Sequence, residues 1–368
     1  MTKLQDLYQA GGQSPWLDNL RRDWIQEGEL ARWIERGVRG VTSNPSIFQR
    51  AMTGQAVYDE QFSALLAGGA SVEQSFWTMA VTDIEAALAL FRPLHDESDG
   101  VDGFVSIEVA PSLARDTEGT IASARELHAR IDEPNLYVKI PATAEGLPAI
   151  QQVIADGKSV NVTLLFGLSR YDAVIEAYLA GLEANDGPLA PVSSVASFFV
   201  SRVDAEIDRR LDAIGTTEAL ALKGTAAVAN GQLAYQLFGE RFSGPRWEAL
   251  AAKGARVQRP LWASTSTKNP SYPTTLYVDT LIAPDTVNTM PEATLDAFDT
   301  DGTVARTADG DFDAARRVLA DLAAVGIDLD EVTRQLEDEG VASFSKAFDE
   351  LISSLADKAA TLGGEALT

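Results

Sequence analysis

Leu136-Tyr137-Val138-Lys139-Ile140, then the amphipathic run Leu147–Ala155, then Val160-Asn161-Val162-Thr163-Leu164 is the stretch on which the fold turns. The outer pieces are short and apolar, and the middle one repeats apolar residues at helical spacing. Strand, helix and strand with no hairpin signal predict a parallel pair joined by a crossover helix. Working outward, comparable runs lie at Trp16–Asp18, Val38–Thr42, Phe104–Glu108, Val192–Ser197, Leu261–Ser264 and Thr286–Met290. Helical patterns such as Thr120–Ile131 and Leu168–Leu182 separate most of them. About eight such units in a chain of 368 residues predict a (β/α)8 TIM barrel. The competing architecture, a doubly wound open sheet, wants a glycine-rich phosphate loop after its first strand. Trp16-Leu17-Asp18-Asn19-Leu20 contains no glycine.

The rhythm breaks at Asp204–Gly254, which is helical and Ala-rich and reads as extra helices outside the barrel. Residues from about 311 to 362 are again helical, ending in the amphipathic segment Ser343–Leu362. No repeat, linker or low-complexity tract divides the chain, so residues 1–368 read as one barrel domain. Asp299–Asp313 is rich in Asp and Gly but lacks the spacing of an EF-hand loop, and reads as a surface turn.

Composition removes several function classes. With 54 acidic and 30 basic residues the net charge is −24, a field that repels nucleic acid and anionic membranes. Any phosphorylated ligand must therefore meet a local cationic pocket. The chain has no cysteine, which excludes disulfides, thiolate catalysis and thiolate metal sites. His95 and His128 are far apart and read as surface residues, so no His cluster for a catalytic metal is expected. Met1–Ser14 lacks the apolar segment of a signal peptide, and no apolar stretch approaches a membrane span; a cytoplasmic location is expected.

Active sites of barrels lie at the C-terminal ends of the strands, and there the polar residues of this chain gather. Ser106 and Glu108 share one face of the third strand, and Tyr137 and Lys139 one face of the fourth. Asn161 and Thr163 follow on the fifth, and Ser197 ends the sixth. Asp18 ends the first, and the second runs from Thr42 to Asn44. Each has a plainer reading. Asn44-Pro45 is a good helix start, with Asn44 as N-cap. Asp18 fits a turn, and the hydroxyl and amide side chains can satisfy buried backbone groups. Lys139 is hardest to place blandly: amid Leu136, Val138 and Ile140 its charge is costly unless paired, and Glu108 is the candidate partner. Burial favours the free amine, a nucleophile towards ketones.

At two of these sites the sequence resembles the transaldolase family. Gly40-Val41-Thr42-Ser43-Asn44-Pro45-Ser46-Ile47-Phe48 is similar to its second-strand signature. Leu136-Tyr137-Val138-Lys139-Ile140-Pro141-Ala142-Thr143-Ala144-Glu145-Gly146-Leu147 is similar to the segment around its Schiff-base lysine. Ser106–Val109 and Asn161–Phe166 add shorter matches in the expected order. The similarity runs from about Trp16 to Pro291, weakens after Asp204, and resembles most the longer bacterial branch.

The resemblance implies a class I aldolase barrel that uses no cofactor or metal and acts on phosphorylated sugars. Lys139 would then form a Schiff base with a ketose phosphate, Glu108 and Thr163 would move protons, and Asp18 would take the C4 hydroxyl proton. Asn44, Asn161 and Ser197 would hold the dihydroxyacetone hydroxyls, with Arg202 and Lys268 on the phosphate. Arg202 taken alone reads as a helix-surface residue, and Lys268 stands where the family commonly has an arginine. Phe199, two residues beyond Ser197, reads as a core aromatic or as a pocket wall that offers no proton. A simple aldolase releasing dihydroxyacetone and a non-catalytic sugar-phosphate binder are the competing functions.

Overall fold

Eight strands, all parallel, pair in chain order, and the last returns to the first: β1 Gln13–Leu17, β2 Gly40–Thr42, β3 Phe104–Glu108, β4 Leu136–Pro141, β5 Val160–Leu165, β6 Ser194–Phe199, β7 Arg259–Ala263 and β8 Thr286–Met290. The computed structural model describes residues 1–365. Helices lie between successive strands, so the architecture is the closed (β/α)8 barrel rather than the open sheet. Every strand residue is buried, as expected where strands are covered on both sides.

The barrel interior is filled by side chains. Trp16 from β1 lies 6.1 Å from the Tyr137 ring of β4, which stacks at 4.1 Å on Phe104 of β3. Gly40 makes room for that packing, because a Cβ there would lie 2.5 Å from the Trp16 ring. The N-terminal end is closed by charge. Arg259 donates to Asp102 Oδ1 at 3.1 Å and to the Thr286 carbonyl at 2.9 Å, while Arg39 donates to Asp102 Oδ2 at 2.6 Å. Burial alone would raise the Asp102 carboxyl, but Arg259 and Arg39 hold it below the ordinary carboxylate value. The polar groups of this end are spent on structure, which leaves the opposite end for chemistry.

Strand ends differ from the sequence expectation where local geometry intervenes. β1 runs from Gln13 and ends at Leu17, so Asp18 stands just beyond it, although its N–H continues the ladder to Met290 O at 2.8 Å. β7 stops at Ala263 because Ser264 takes a left-handed conformation, φ +55°. The surface reading of the histidines is corrected. His128 is 5% exposed and its ring meets the Ser159 carbonyl at 3.0 Å, with burial lowering its pKa to about 4. His95 is half-buried, edge-on to Phe104 at 5.2 Å.

Four helices fill the stretch between β6 and β7: Ser201–Ile214, Thr217–Leu220, Ala226–Arg241 and Gly244–Ala251. Asp204 ties the first to the third, accepting from Ala227 N at 2.7 Å, and also accepts from Tyr277 OH, beyond β7, at 2.8 Å. Burial pushes this carboxyl up to about 6 from 3.8. A folded-state value above the unfolded one gives stability that is complete below pH ~4 and lost as pH rises through about 6. Asp204→Asn keeps one acceptor oxygen for Ala227 N, turns the other position into an amide donor facing the Tyr277 oxygen, and removes the ionisation. It should therefore gain roughly 1–3 kcal/mol over the parent protein between pH 4 and pH 7.5. Denaturant melts at both pH values check this, and a difference independent of pH contradicts it.

The last helix, Leu329–Glu365, packs on the helices Pro45–Gly54, Asp59–Ala67 and Val72–Glu97 and reaches β5. Among the described residues no helix is long and apolar enough to cross a membrane.

Candidate active site

Glu108 and Lys139 are register partners on β3 and β4, so their side chains leave the sheet side by side. Lys139 is 4% exposed, and its Nζ donates to the Ser43 carbonyl at 2.9 Å. It also lies 3.2 Å from Glu108 Oε2, an ion-pair distance without hydrogen-bond alignment. Burial raises the Glu108 carboxyl above its ordinary value, and Lys139 opposes that rise only in part. The carboxyl therefore holds a proton to higher pH than usual.

Asp18 approaches from β1. Its carboxylate accepts from Thr42 Oγ1 at 2.8 Å, and Thr42 Oγ1 in turn lies 2.6 Å from Thr289 Oγ1 on β8. Burial raises Asp18 as well, while Thr42, Lys139 and Arg50 pull it down. Two carboxyls thus flank the lysine in different surroundings, one beside the amine and one held by a hydroxyl pair. That difference suits two separate proton transfers.

The uncharged positions form a chain. Asn161 Nδ2 donates to Ser106 Oγ at 3.1 Å, and Ser197 Oγ donates to Asn161 Oδ1 at 2.6 Å. Asn44 caps the helix Pro45–Gly54, accepting from Ile47 N at 3.0 Å, yet it also lines the cavity. The cap reading holds, and because the cap uses the oxygen it leaves the amide nitrogen for a ligand. Thr163 sits in a bulge: it and Leu164 stand against Ser197 alone, between the pairs Val162–Ala196 and Leu165–Phe198. Leu164 is left-handed, φ +58°, a conformation costing about 1–3 kcal/mol in a side-chain-bearing residue. Thr163 Oγ1 is buried and makes no hydrogen bond within the described residues, so it is available to a ligand.

These groups open on a cavity of about 290 Å³ at the C-terminal end of the barrel. Arg202, early in Ser201–Ile214, and Lys268, after β7, line it. The Arg202 guanidinium stands 5.3 Å from the Phe199 ring centre, and burial lowers its pKa. Lys268 Nζ donates to Ser266 Oγ at 3.0 Å, and burial, then the neighbouring Arg202 charge, lower its pKa. Two cations that lose hydration and repel one another favour an anion between them.

Of the ten residues singled out from the sequence, Asp18, Asn44, Lys139, Thr163, Ser197, Phe199, Arg202 and Lys268 line the cavity. Glu108 and Asn161 stand one layer behind, against Lys139 and Ser197. The cavity also has Thr289, Ser46, Arg50, Glu292 and Phe344 on its walls. Thr289 shares the polar pattern at the strand ends, and Ser46 and Arg50 are four apart on one face of the capped helix. Those signals were readable. Phe344, from the last helix, carries none.

Comparisons with known proteins agree in one direction. Residues 15–355 match the family model described as transaldolase/fructose-6-phosphate aldolase. The chain is 51% identical over 354 residues to a transaldolase of Frankia alni, covering 95% of each chain. It is 51% identical over 362 residues to a transaldolase of Thermobifida fusca, covering 97% of this chain and 98% of that one. It is 53% identical over 348 residues to a transaldolase of Mycolicibacterium smegmatis, covering 93% and 94%.

Proposed function

The chain belongs to the transaldolase/fructose-6-phosphate aldolase family, and from that premise we propose that it is a cytoplasmic transaldolase with Lys139 as nucleophile. It transfers a dihydroxyacetone unit from a ketose phosphate, such as fructose 6-phosphate or sedoheptulose 7-phosphate, to an aldose phosphate. The single observation that carries the reading is the buried Lys139 amine, 3.2 Å from Glu108 inside a cavity that also holds Asp18.

Each residue has a task matched to its surroundings. The Lys139 amine adds to the C2 carbonyl, and Glu108, whose burial favours the protonated form, donates the proton that lets the carbinolamine lose water. The unpartnered Thr163 hydroxyl assists that transfer. Asp18 takes the C4 hydroxyl proton, the C3–C4 bond breaks, and the aldose phosphate leaves. The remaining enamine on Lys139 then adds to the second aldose. Asn44 and Ser197 hold the hydroxyls of the retained fragment, and Asn161, one layer behind, orients the Ser197 hydroxyl. A simple aldolase is the second reading, because the matching family covers both activities. A coupled assay with fructose 6-phosphate, with and without erythrose 4-phosphate, separates the two. Transfer requires the acceptor, whereas steady acceptor-independent release of dihydroxyacetone would overturn the assignment.

Arg202 and Lys268 are assigned to the substrate phosphate. Truncating one charged hydrogen-bond donor forfeits roughly 1.5–3 kcal/mol, or about ten- to a hundredfold in KM. Arg202→Ala should show this for fructose 6-phosphate and leave unphosphorylated fructose nearly unchanged, with Lys268→Ala giving the smaller effect. Equal effects on both substrates would place the phosphate elsewhere.

A further inference from the structure

Phe344 reaches the cavity from a helix that is no part of the barrel's strand–helix rhythm. That helix, Leu329–Glu365, is fastened on both sides of Phe344. Before it, Arg210 donates to Gln335 Oε1 at 2.6 Å and Arg170 to Glu337 Oε2 at 3.0 Å. After it, Gln49 donates to Glu350 Oε2 at 3.2 Å and Lys358 to the Gln55 carbonyl at 3.2 Å. The seat between these ties is tight. A Cβ on Gly340 would lie 3.0 Å from Leu164 Cδ2, so the helix rests directly on the residue beside Thr163. Phe344 follows one helical turn later on the same face. It is 5% exposed and shares the cavity with Lys139 and Ser197.

We propose that Phe344 is a specificity-determining residue: its ring closes the site against solvent while the dihydroxyacetone enamine waits on Lys139, so that transfer outruns release. The proposal rests on the Schiff-base reading above. The competing reaction is simple. The enamine carbon takes a proton, one water adds to the resulting imine carbon, and free dihydroxyacetone leaves as Lys139 recovers its amine and a proton returns to solvent. The water of that side reaction comes from solvent, and an apolar ring on the cavity wall offers it no hydrogen-bond partner beside the adduct. An aldose held by its phosphate and hydroxyls enters with its own recognition and is not excluded.

The test compares the unaltered protein with Phe344→Ala and Phe344→Leu. Fructose 6-phosphate is supplied with erythrose 4-phosphate to read transfer, and alone to read dihydroxyacetone release. The ratio of release to transfer should rise on the order of tenfold in Phe344→Ala and by less in Phe344→Leu. Borohydride should still trap the adduct on Lys139 in each. The ratio is internal to the active molecules, so partial unfolding leaves it unmoved, and Phe344→Leu reports if the alanine variant does not fold. An unchanged ratio, with both activities falling together, overturns the proposal. Failure to trap any adduct in the unaltered protein overturns the Schiff-base reading instead.

Discussion

Replacing Lys139 by methionine should lower transfer by roughly 10⁴-fold or more, because the other amine on the cavity wall, Lys268, stands with Ser266 and Arg202 rather than beside Glu108. Methionine keeps the length and apolar stem of the side chain, so packing among the strand residues is retained. The usual objection is that removing one member of a buried pair strands the other charge. Here burial already raises the Glu108 carboxyl and Lys139 opposes that rise, so the loss of Lys139 shifts the remaining group further towards its neutral acid. The variant should therefore melt close to the parent protein at neutral pH while being inactive. Steady-state assay and thermal denaturation on one preparation check both halves. Activity within tenfold of the parent would remove Lys139 from the mechanism.

The second large effect separates the carboxyls. Asp18→Asn should slow carbon–carbon cleavage by about 10²–10⁴-fold, the span typical of a lost general base, with Schiff-base formation little changed. Glu108→Gln should slow Schiff-base formation instead. Single-turnover measurements distinguish the two steps, and the reverse pattern would exchange the roles. Asp18 must be ionised to act, and burial raises its pKa. Cleavage in the parent protein should therefore fall with decreasing pH at values above the ordinary carboxylate range. That limb of the profile should vanish from the residual activity of Asp18→Asn.

The barrel was readable because strands buried on both faces leave uninterrupted apolar runs, and polar residues inside them stand out. Glu108 and Lys139 are conspicuous for that reason, and their pairing follows once β3 and β4 are neighbours in register. Strand ends were less readable. At Leu164 and Ser264 side-chain-bearing residues adopt left-handed backbone that tertiary contacts impose and local preference opposes. His128 defeated the sequence reading because a helix facing the barrel buries its inner stripe whatever the residue, and the Ser159 carbonyl satisfies the ring. Phe344 was beyond reach for another reason. Nothing local distinguishes it from other apolar residues of its helix, and only the path of that helix past Leu164 brings it to the cavity.

Covalent trapping tests the central claim most directly. Borohydride added to the protein with fructose 6-phosphate should reduce the imine and leave one dihydroxyacetone-derived adduct, which peptide mass spectrometry should locate on Lys139. An adduct on another lysine, or none at all in a preparation that catalyses transfer, would contradict the account.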